Sequence, residues 1–352
     1  MIFKIIFSFA ASIIKFVILC LLITKSVSDD SVKKFYSKDA GILSIMYHRF
    51  EENKYPSTNI QFDIFKEHIR IIKNNNFQFL HPNDLSKEFD KLKKQKKILL
   101  TIDDAFSSFY NNAWPFIKKN EIPFILFVST EPVGKNGYMS WDQIKEVEKE
   151  EFAFIGNHSH SHGYLLELTE DEFKKDINKS IKLFNENLGY NPIFFSYPFG
   201  EYSFNQKSFI KEKFDFAFGQ NSGVIDLNKD KFELPRFPIN EKYGDLERFE
   251  FLIKLRPLEY KNINIRDNFI KNSENPPDLT IEFFDDQKYI SNINCYSDEG
   301  DSWHQTNIEI IQQKLKVNFS EKFNFRRGRI NCSLNYDNHW KWLGLQFSVD
   351  TD

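Results

Sequence analysis

From residue 41 to about residue 255, short apolar runs alternate with amphipathic stretches, and this alternation most limits the architectures open to the chain. The runs are Ile42 to Tyr47, Phe77 to Leu80, Ile98 to Ile102, Phe124 to Val128, Phe152 to Ile155, Ile193 to Tyr197 and Phe214 to Phe218. They are rich in β-branched and aromatic residues without strict alternation, the pattern of strands covered on both faces. The clearest intervening helix is predicted from Thr169, where Glu172 completes a Thr-x-x-Glu capping box. Phe173, Ile177, Ile181, Phe184 and Leu188 then share one helical face. Strands alternating with helices over this length imply an α/β fold with a parallel sheet, open or closed into a barrel.

After Asn262 the pattern changes. Asn275-Pro276-Pro277-Asp278 is a breaker cluster. Strand-like runs follow at Leu279 to Phe284, Asn292 to Tyr296, Lys314 to Phe319, Gly328 to Leu334 and Trp340 to Val349, with no long amphipathic helix between them. A small antiparallel β domain, a sandwich, is expected there. The chain therefore divides into residues 1–28, a barrel over 29–262 and a β-rich domain over 263–352. Lys91 to Lys97 is a charge run, read as a solvated helix end.

Residues 1–28 carry Lys4 and Lys15 around one apolar stretch and an uncharged second stretch from Phe16 to Thr24. Ser26-Val27-Ser28 supplies a small-x-small cleavage site, so the segment reads as a secretory signal peptide. If Lys15 is tolerated in a bilayer, residues 5–24 are instead long enough for an uncleaved membrane anchor. Both readings export the remainder to the periplasm, the cell surface or the medium. In such a compartment Cys295 and Cys332 are free to form a disulfide; the alternative is two separate buried thiols. Lysine and arginine number 47 against 50 acids, a net charge of −3, which leaves no basic excess for a nucleic-acid backbone.

The polar residues fall at the ends of predicted strands. His48 follows the first, Asp103-Asp104 follow the third, His158 to His162 follow the fifth and Tyr197-Pro198 end the sixth; Arg236 follows a short run, Phe232 to Leu234. In parallel sheets and barrels catalytic groups gather at the carboxyl ends of strands, so these residues could converge on one cleft. Asp103 and Asp104 are adjacent carboxylates that can take separate roles, or else a turn or helix cap. His158 and His162, at i and i+4, lie on one face of any helical turn, where neutral imidazoles can share a metal. Two histidines and one carboxylate leave coordination positions open for water and substrate. No Gly-x-Ser-x-Gly elbow and no phosphate-binding glycine loop is present, which disfavours serine esterases and nucleotide enzymes.

Thr101-Ile102-Asp103-Asp104-Ala105, the His158-x-x-x-His162 pair and Ser196-Tyr197-Pro198-Phe199-Gly200 occur in that order. Together they resemble the first three motifs of the polysaccharide deacetylase family (carbohydrate esterase family 4, the NodB-like domain). The likeness spans about residues 41–255. It implies a distorted (β/α) barrel of the NodB type and one divalent metal ion held by Asp104, His158 and His162, zinc first, with cobalt or nickel as alternatives. It implies further that Asp103 is the general base for the attacking water, and that a backbone N–H near Tyr197 and Pro198 helps stabilise the oxyanion. The reaction implied is hydrolysis of acetyl groups, N-acetyl favoured, from an acetylated polysaccharide.

The sequence departs from the family pattern in three places. Ala105 stands where glycine is usual, and Ser196 where many members have arginine; Arg236 is a candidate substitute. The later Leu-x-His motif that supplies the general acid is absent, and His304 is the next histidine after His162. In the branch resembling poly-N-acetylglucosamine deacetylases an N-terminal histidine takes the acid's place, which points to His48. Rival readings are an O-acetyl or small-amide hydrolase on the same barrel and a non-catalytic glycan-binding protein. Trp303, Trp340 and Trp342 read either as sandwich packing or as platforms for sugar rings, and Glu201 either as a substrate contact or as the start of the next helix.

Overall fold

Each apolar run between residues 41 and 218 overlaps a strand. The computed structural model describes residues 41–90, 96–227, 229–285 and 287–350, so the segment read as a signal peptide or anchor lies outside the described residues. No described helix is long and apolar enough to cross a membrane. The strands are β1 (Ile42–Tyr47), β2 (Gln78–Phe79), β3 (Lys97–Asp103), β4 (Phe124–Val128), β5 (Ala153–Asn157), β6 (Phe194–Ser196), β7 (Phe216–Phe218) and β8 (Phe237–Pro238). They form one sheet in the order β8-β1-β3-β4-β5-β6-β7, with β2 beside β3. Every pairing in it is parallel.

The sheet curls into a half-barrel. Its two edges approach through a parallel bridge between Phe218 and Leu234 and through the Arg236 N–H donating to the Asn221 carbonyl at 3.0 Å. Alternate residues of β4 separate the two cores. Phe124, Leu126 and Val128 join the larger core with Ile45, Tyr47 and Ile102, while Ile125 and Phe127 meet Phe194, Phe216 and Phe218 on the other face. Burial on both faces explains why these strands read as continuous apolar runs.

Helices α1 (Phe62–Asn74), α2 (Leu85–Asp90), α3 (Trp114–Lys119), α4 (Trp141–Glu148), α5 (Glu170–Leu188), α6 (Phe204–Lys211) and α7 (Leu246–Leu252) connect the strands. The capping box predicted at Thr169 and Glu172 opens α5, and Gly189 in the left-handed conformation ends it. Ser140 with Gln143 and Ser203 with Gln206 make equivalent boxes on α4 and α6. Such caps contribute about 1 kcal/mol each. The charge run before β3 is not wholly solvated: Lys96 is buried and donates to the carbonyls of Ile253 and Leu255.

The C-terminal region builds two further sheets. Its strands are β9 (Arg256–Pro257), β10 (Asn262–Ile263), β11 (Phe269–Ile270), β12 (Leu279–Glu282), β13 (Asn294–Asp298), β14 (His304–Gln305), β15 (Asn307–Ile311), β16 (Lys314–Asn318), β17 (Arg327–Tyr336) and β18 (His339–Val349). One sheet runs β9-β18-β17-β13-β14 with β11 beside β18, and the other runs β10-β12-β16-β15. Leu279, Ile281, Leu315 and Val317 of the second sheet share a core with Ile330, Cys332, Leu334 and Phe347 of the first, as a sandwich requires. Cys295 and Cys332 are direct partners in the β13–β17 register and form a disulfide.

Barrel and sandwich pack closely. Gly344 of β18 lies so near the loop after β7 that a Cβ there would sit 2.0 Å from the Ser222 carbonyl oxygen, so only glycine fits. The Asn221 amide donates to the Gly344 carbonyl at 3.0 Å.

Candidate metal and catalytic site

Asp103 is the last residue of β3 and is fully buried. Arg236 meets it with both ends of the guanidinium: Nη1 donates to Oδ1 at 2.7 Å and Nη2 to Oδ2 at 2.9 Å. The remaining donors are also used, Nε on the Gly219 carbonyl at 2.9 Å, Nη2 on Ser196 Oγ at 2.8 Å and Nη1 on Thr101 Oγ1 at 3.3 Å. All five guanidinium hydrogens thus have acceptors, which is what a buried arginine requires. The ring of Phe127 lies 5.4 Å from the Arg236 carbon and that of Phe218 at 5.9 Å. Burial is the largest single influence and raises the Asp103 carboxyl; the charges of Arg236, His158 and His48 and the hydrogen bonds from Arg236 together more than offset it and leave the group below its ordinary value.

Arg236 does not follow a strand, as its neighbours suggested. Phe232 to Leu234 contributes one bridge, and Arg236 precedes β8, from which its long side chain reaches Asp103. Ser196, at the position where an arginine is common among the proteins the sequence resembles, accepts a hydrogen bond from the arginine that is present.

Asp104 and Ala105 both have positive φ, 75° and 51°, and this turn swings Asp104 away from Asp103. The two histidines do not lie on a helical turn. They occupy a loop after β5 in which Ser159 and His162 take left-handed conformations, φ 69° and 53°. Asp176 of α5 pins that loop, its two oxygens accepting from the backbone of His160 at 2.8 Å and Ser161 at 3.0 Å. Asn157 Oδ1 accepts the Ser159 N–H at 2.8 Å, and Asn157 Nδ2 donates to Ser180 of α5 at 2.8 Å. His160 turns aside to Thr130, 2.8 Å from its Nδ1.

His158, His162 and Asp104 come together, with one ligand atom from each inside a 4.8 Å span. Among the described residues no other trio of His, Cys, Asp or Glu is so arranged. His158 Nδ1 lies 2.7 Å from the Ser196 carbonyl, which directs its Nε2 lone pair toward Asp104. His158 Nε2 is 3.5 Å and His162 Nε2 3.0 Å from Asp104 Oδ1. Yet His158 Nε2 is buried without a hydrogen-bond partner among the described residues, and buried Asp104 Oδ1 has only the His162 ring nitrogen beside it. An orphaned imidazole nitrogen beside a buried carboxylate oxygen, with nitrogen and oxygen as the ligand set, fits a divalent cation. Burial holds His158 down to about 4, so its imidazole is neutral, as a ligand must be.

His48, half-buried just beyond β1, lies near enough for its charge to favour ionisation of both Asp103 and Asp104. Tyr197 sits differently. Its own N–H donates to the Phe218 carbonyl at 3.0 Å, its hydroxyl to the Phe232 carbonyl at 3.1 Å, and its ring stacks on Tyr202 in the core. Pro198 opens the following turn, in which Phe199 has φ 59°. The Phe199 ring stands 5.0 Å from that of His162 and 4.4 Å from that of Tyr164.

That turn is held from the sandwich, which no motif announced. Gln346 of β18 donates to the carbonyls of Phe199 and Gly200, both at 3.1 Å. Glu201 neither faces the cleft nor opens a helix. It is fully buried between Arg326 and Arg327, 3.2 Å and 2.8 Å from their Nε atoms.

The sequence model of the polysaccharide deacetylase family matches residues 90–213, a segment holding Asp103, Asp104, His158, His162 and the third motif but neither His48 nor Arg236. A poly-beta-1,6-N-acetyl-D-glucosamine N-deacetylase of Staphylococcus aureus (strain MSSA476) is 27% identical over 262 residues, covering 65% of this chain and 87% of the relative. A putative polysaccharide deacetylase, YxkH, of Bacillus subtilis (strain 168) is 26% identical over 183 residues, covering 51% of this chain and 64% of the relative. The fold is shared with IcaB from Ammonifex degensii, with a TM-score of 0.54 at 22% identity over 62% of this chain and 99% of that one. It is shared also with the Streptococcus pyogenes deacetylase PplD in complex with acetate, with a TM-score of 0.54 at 21% identity over 58% and 95%.

Proposed function

We propose that this chain, which carries a polysaccharide deacetylase domain, removes N-acetyl groups from a glucosamine-based polysaccharide outside the cytoplasm. The observation that carries this reading is the meeting, at the carboxyl ends of β1, β3, β5 and β6, of an arginine-bound buried carboxylate with a two-histidine, one-carboxylate focus. The N-deacetylase name of the staphylococcal relative supports the amide substrate. Asp104, His158 and His162 hold the divalent metal, zinc in this reading. When bound, the ion lowers the pKa of a water toward about 7 and polarises the acetyl carbonyl.

The protein's own groups do the rest. Asp103, ionised beside Arg236, takes the proton of the attacking water. Arg236 keeps both Asp103 oxygens in fixed directions and supplies the charge that keeps the carboxylate ionised when buried. His48 donates a proton to the departing amine nitrogen as the C–N bond breaks, so amide and water become acetate and amine. The Cys295–Cys332 disulfide and the leader-like residues 1–28 support an oxidising, exported location. In this reading residues 29–262 hold the catalytic barrel and 263–352 most of a β-rich domain that packs against it.

The test is acetate release from N-acetylglucosamine oligomers by residues 29–352, metal-stripped and then resupplied with zinc, cobalt or nickel. Metal-dependent release that Asp103→Asn abolishes is the expected result. Release from acetylated xylan but not from amide substrates would replace the reading with an O-acetyl esterase.

A further inference from the structure

The face of β17 and β18 opposite the sandwich core turns toward the barrel, and part of it stays open. Between it, β8 and α7 lies a cleft of about 240 Å³. Trp303, Trp342 and Phe251 give it aromatic walls, and Arg248, Arg329 and Asn331 give it hydrogen-bond donors. Trp303 is 38% exposed, with the Arg329 guanidinium 5.4 Å from its ring centre. The Trp342 indole N–H is buried and meets no acceptor among the described residues. A buried indole donor normally finds a partner, so this one is a vacant donor.

The aromatic surface continues past the cleft. Trp340 shares a face of β18 with Trp342, about 7 Å further along the strand. It is exposed and packs edge-on against Phe251 at 6.1 Å. Exposed rings in a row are costly on a monomer and suit ligands with flat apolar faces and polar rims. A pyranose chain has that form: axial C–H groups on one face, hydroxyl and amide groups around the edge.

Charge narrows the choice of sugar. No carboxylate lines the cleft among the described residues. Arg329 is bonded to Asp298 at 2.5 Å, whereas Arg248 is bonded to a backbone carbonyl, that of Tyr243. A free amine on the ligand would meet the cations Arg248 and Arg329, whose nearby carboxylates, Asp245 and Asp298, do not line the cleft, while an N-acetyl group brings a neutral carbonyl acceptor for Arg248, Asn331 or the Trp342 N–H. We infer that this cleft, whose lining shares no residue with the metal focus, is a second glycan-binding site that takes N-acetylated hexosamine units in preference to deacetylated ones. The inference rests on the deacetylase reading for the identity of the sugar. It adds a device that keeps the protein on unprocessed stretches of polymer and releases it from processed ones.

The experiment is affinity electrophoresis of residues 29–352 through native gels with and without glycol chitin, the soluble N-acetylated polymer, or glycol chitosan, its free-amine counterpart. Four proteins are compared: wild type, Asp103→Asn, Trp303→Ala and Trp340→Ala, each first shown by thermal melting to be folded. Both tryptophans are exposed, so the two variants serve as checks on each other. Wild type and Asp103→Asn are expected to be retarded by glycol chitin, at least about fivefold more strongly than either tryptophan variant, the factor that one aromatic contact contributes. Glycol chitosan is expected to retard wild type more weakly than glycol chitin. Equal retardation of the tryptophan variants, no retardation of wild type, or equal retardation by both polymers would overturn the site. Acetate release with unchanged retardation removes the cleft and keeps the deacetylase. Tryptophan-dependent retardation with no acetate released keeps the cleft and removes the deacetylase.

Discussion

Arg236 and Asp103, 133 residues apart in the chain, form a two-point ion pair in which neither partner touches solvent. Removing one member of such a pair strands the other and costs about 3–5 kcal/mol. Arg236→Met is therefore expected to lower the urea midpoint sharply. Arg236→Lys, with one compact charge in place of a planar fork, is expected to fold better than Arg236→Met yet to lower kcat by about tenfold or more while metal content stays at one per chain. Wild-type kcat in Arg236→Lys would show that the fork is not needed to orient Asp103.

His48→Ala is expected to reduce turnover by about 10²–10⁴, the usual worth of a positioned acid. Metal content, read by elemental analysis of the dialysed protein, is expected to stay unchanged. Loss of metal in this variant would mean that His48 is a ligand and that the proton comes from another group.

Asp104→Ala and His162→Ala are expected to fall well below one metal per chain after dialysis, and the wild type to be inactive after chelation and active again on adding zinc. His160→Ala, whose imidazole is turned to Thr130, is expected to bind metal as the wild type does. Equal metal content in all three variants would reject the proposed ligand set.

Ala105 has φ 51°, a conformation that costs a residue with a Cβ about 1–2 kcal/mol and glycine little. Ala105→Gly is expected to be neutral or stabilising by about 1 kcal/mol, against the usual loss when a buried alanine becomes glycine. Chemical denaturation decides it, and destabilisation would show that the Ala105 methyl contributes more in the core than the turn loses to strain.

His68 is the clearest acid-sensitive group outside the site. Its Nδ1 lies 2.9 Å from the Tyr47 hydroxyl, its Nε2 2.8 Å from the Gly244 carbonyl, and its ring stacks on Phe249 at 3.8 Å. Burial holds its pKa down from 6.5 to about 4. The unfolded chain then binds the proton more readily, so this contribution to stability is whole above about pH 6.5 and is lost as pH falls through about 4, up to about 3 kcal/mol. His68→Gln is expected to flatten the fall in urea midpoint between neutral pH and about pH 4. An unchanged fall would assign the acid sensitivity to other groups.

The sheet was readable because strands covered on both faces leave unbroken apolar runs, and the predicted run Phe124 to Val128 coincides with β4. The two aspartates were readable as paired carboxylates closing such a run. The histidine pair was readable as a pair but not as a geometry, because the left-handed turns at Ser159 and His162 carry no glycine to announce them. Arg236 was visible only as a candidate, since its contact with Asp103 depends on how the edges of the half-barrel meet. Gln346 and Asp176 gave no signal and Glu201 was read in two roles it does not have, because each acts through backbone or ion-pair contacts between segments separated in the chain.

Gly344 leaves no room for a side chain against Ser222, and Asn221 of the same loop bonds both Gly344 and the Arg236 backbone. Gln346, two residues on, grips the turn whose Phe199 ring abuts His162. One strand near the C-terminus therefore braces both the loop that bonds Arg236 and the turn that abuts His162. The protein cannot be treated as an enzyme with a detachable appendage: a fragment ending near residue 262 would keep every candidate catalytic residue and lose the brace that holds them in register. Swapping in a sandwich from another protein would succeed only where that partner offers a bare backbone at the position of Gly344 and an amide at that of Gln346.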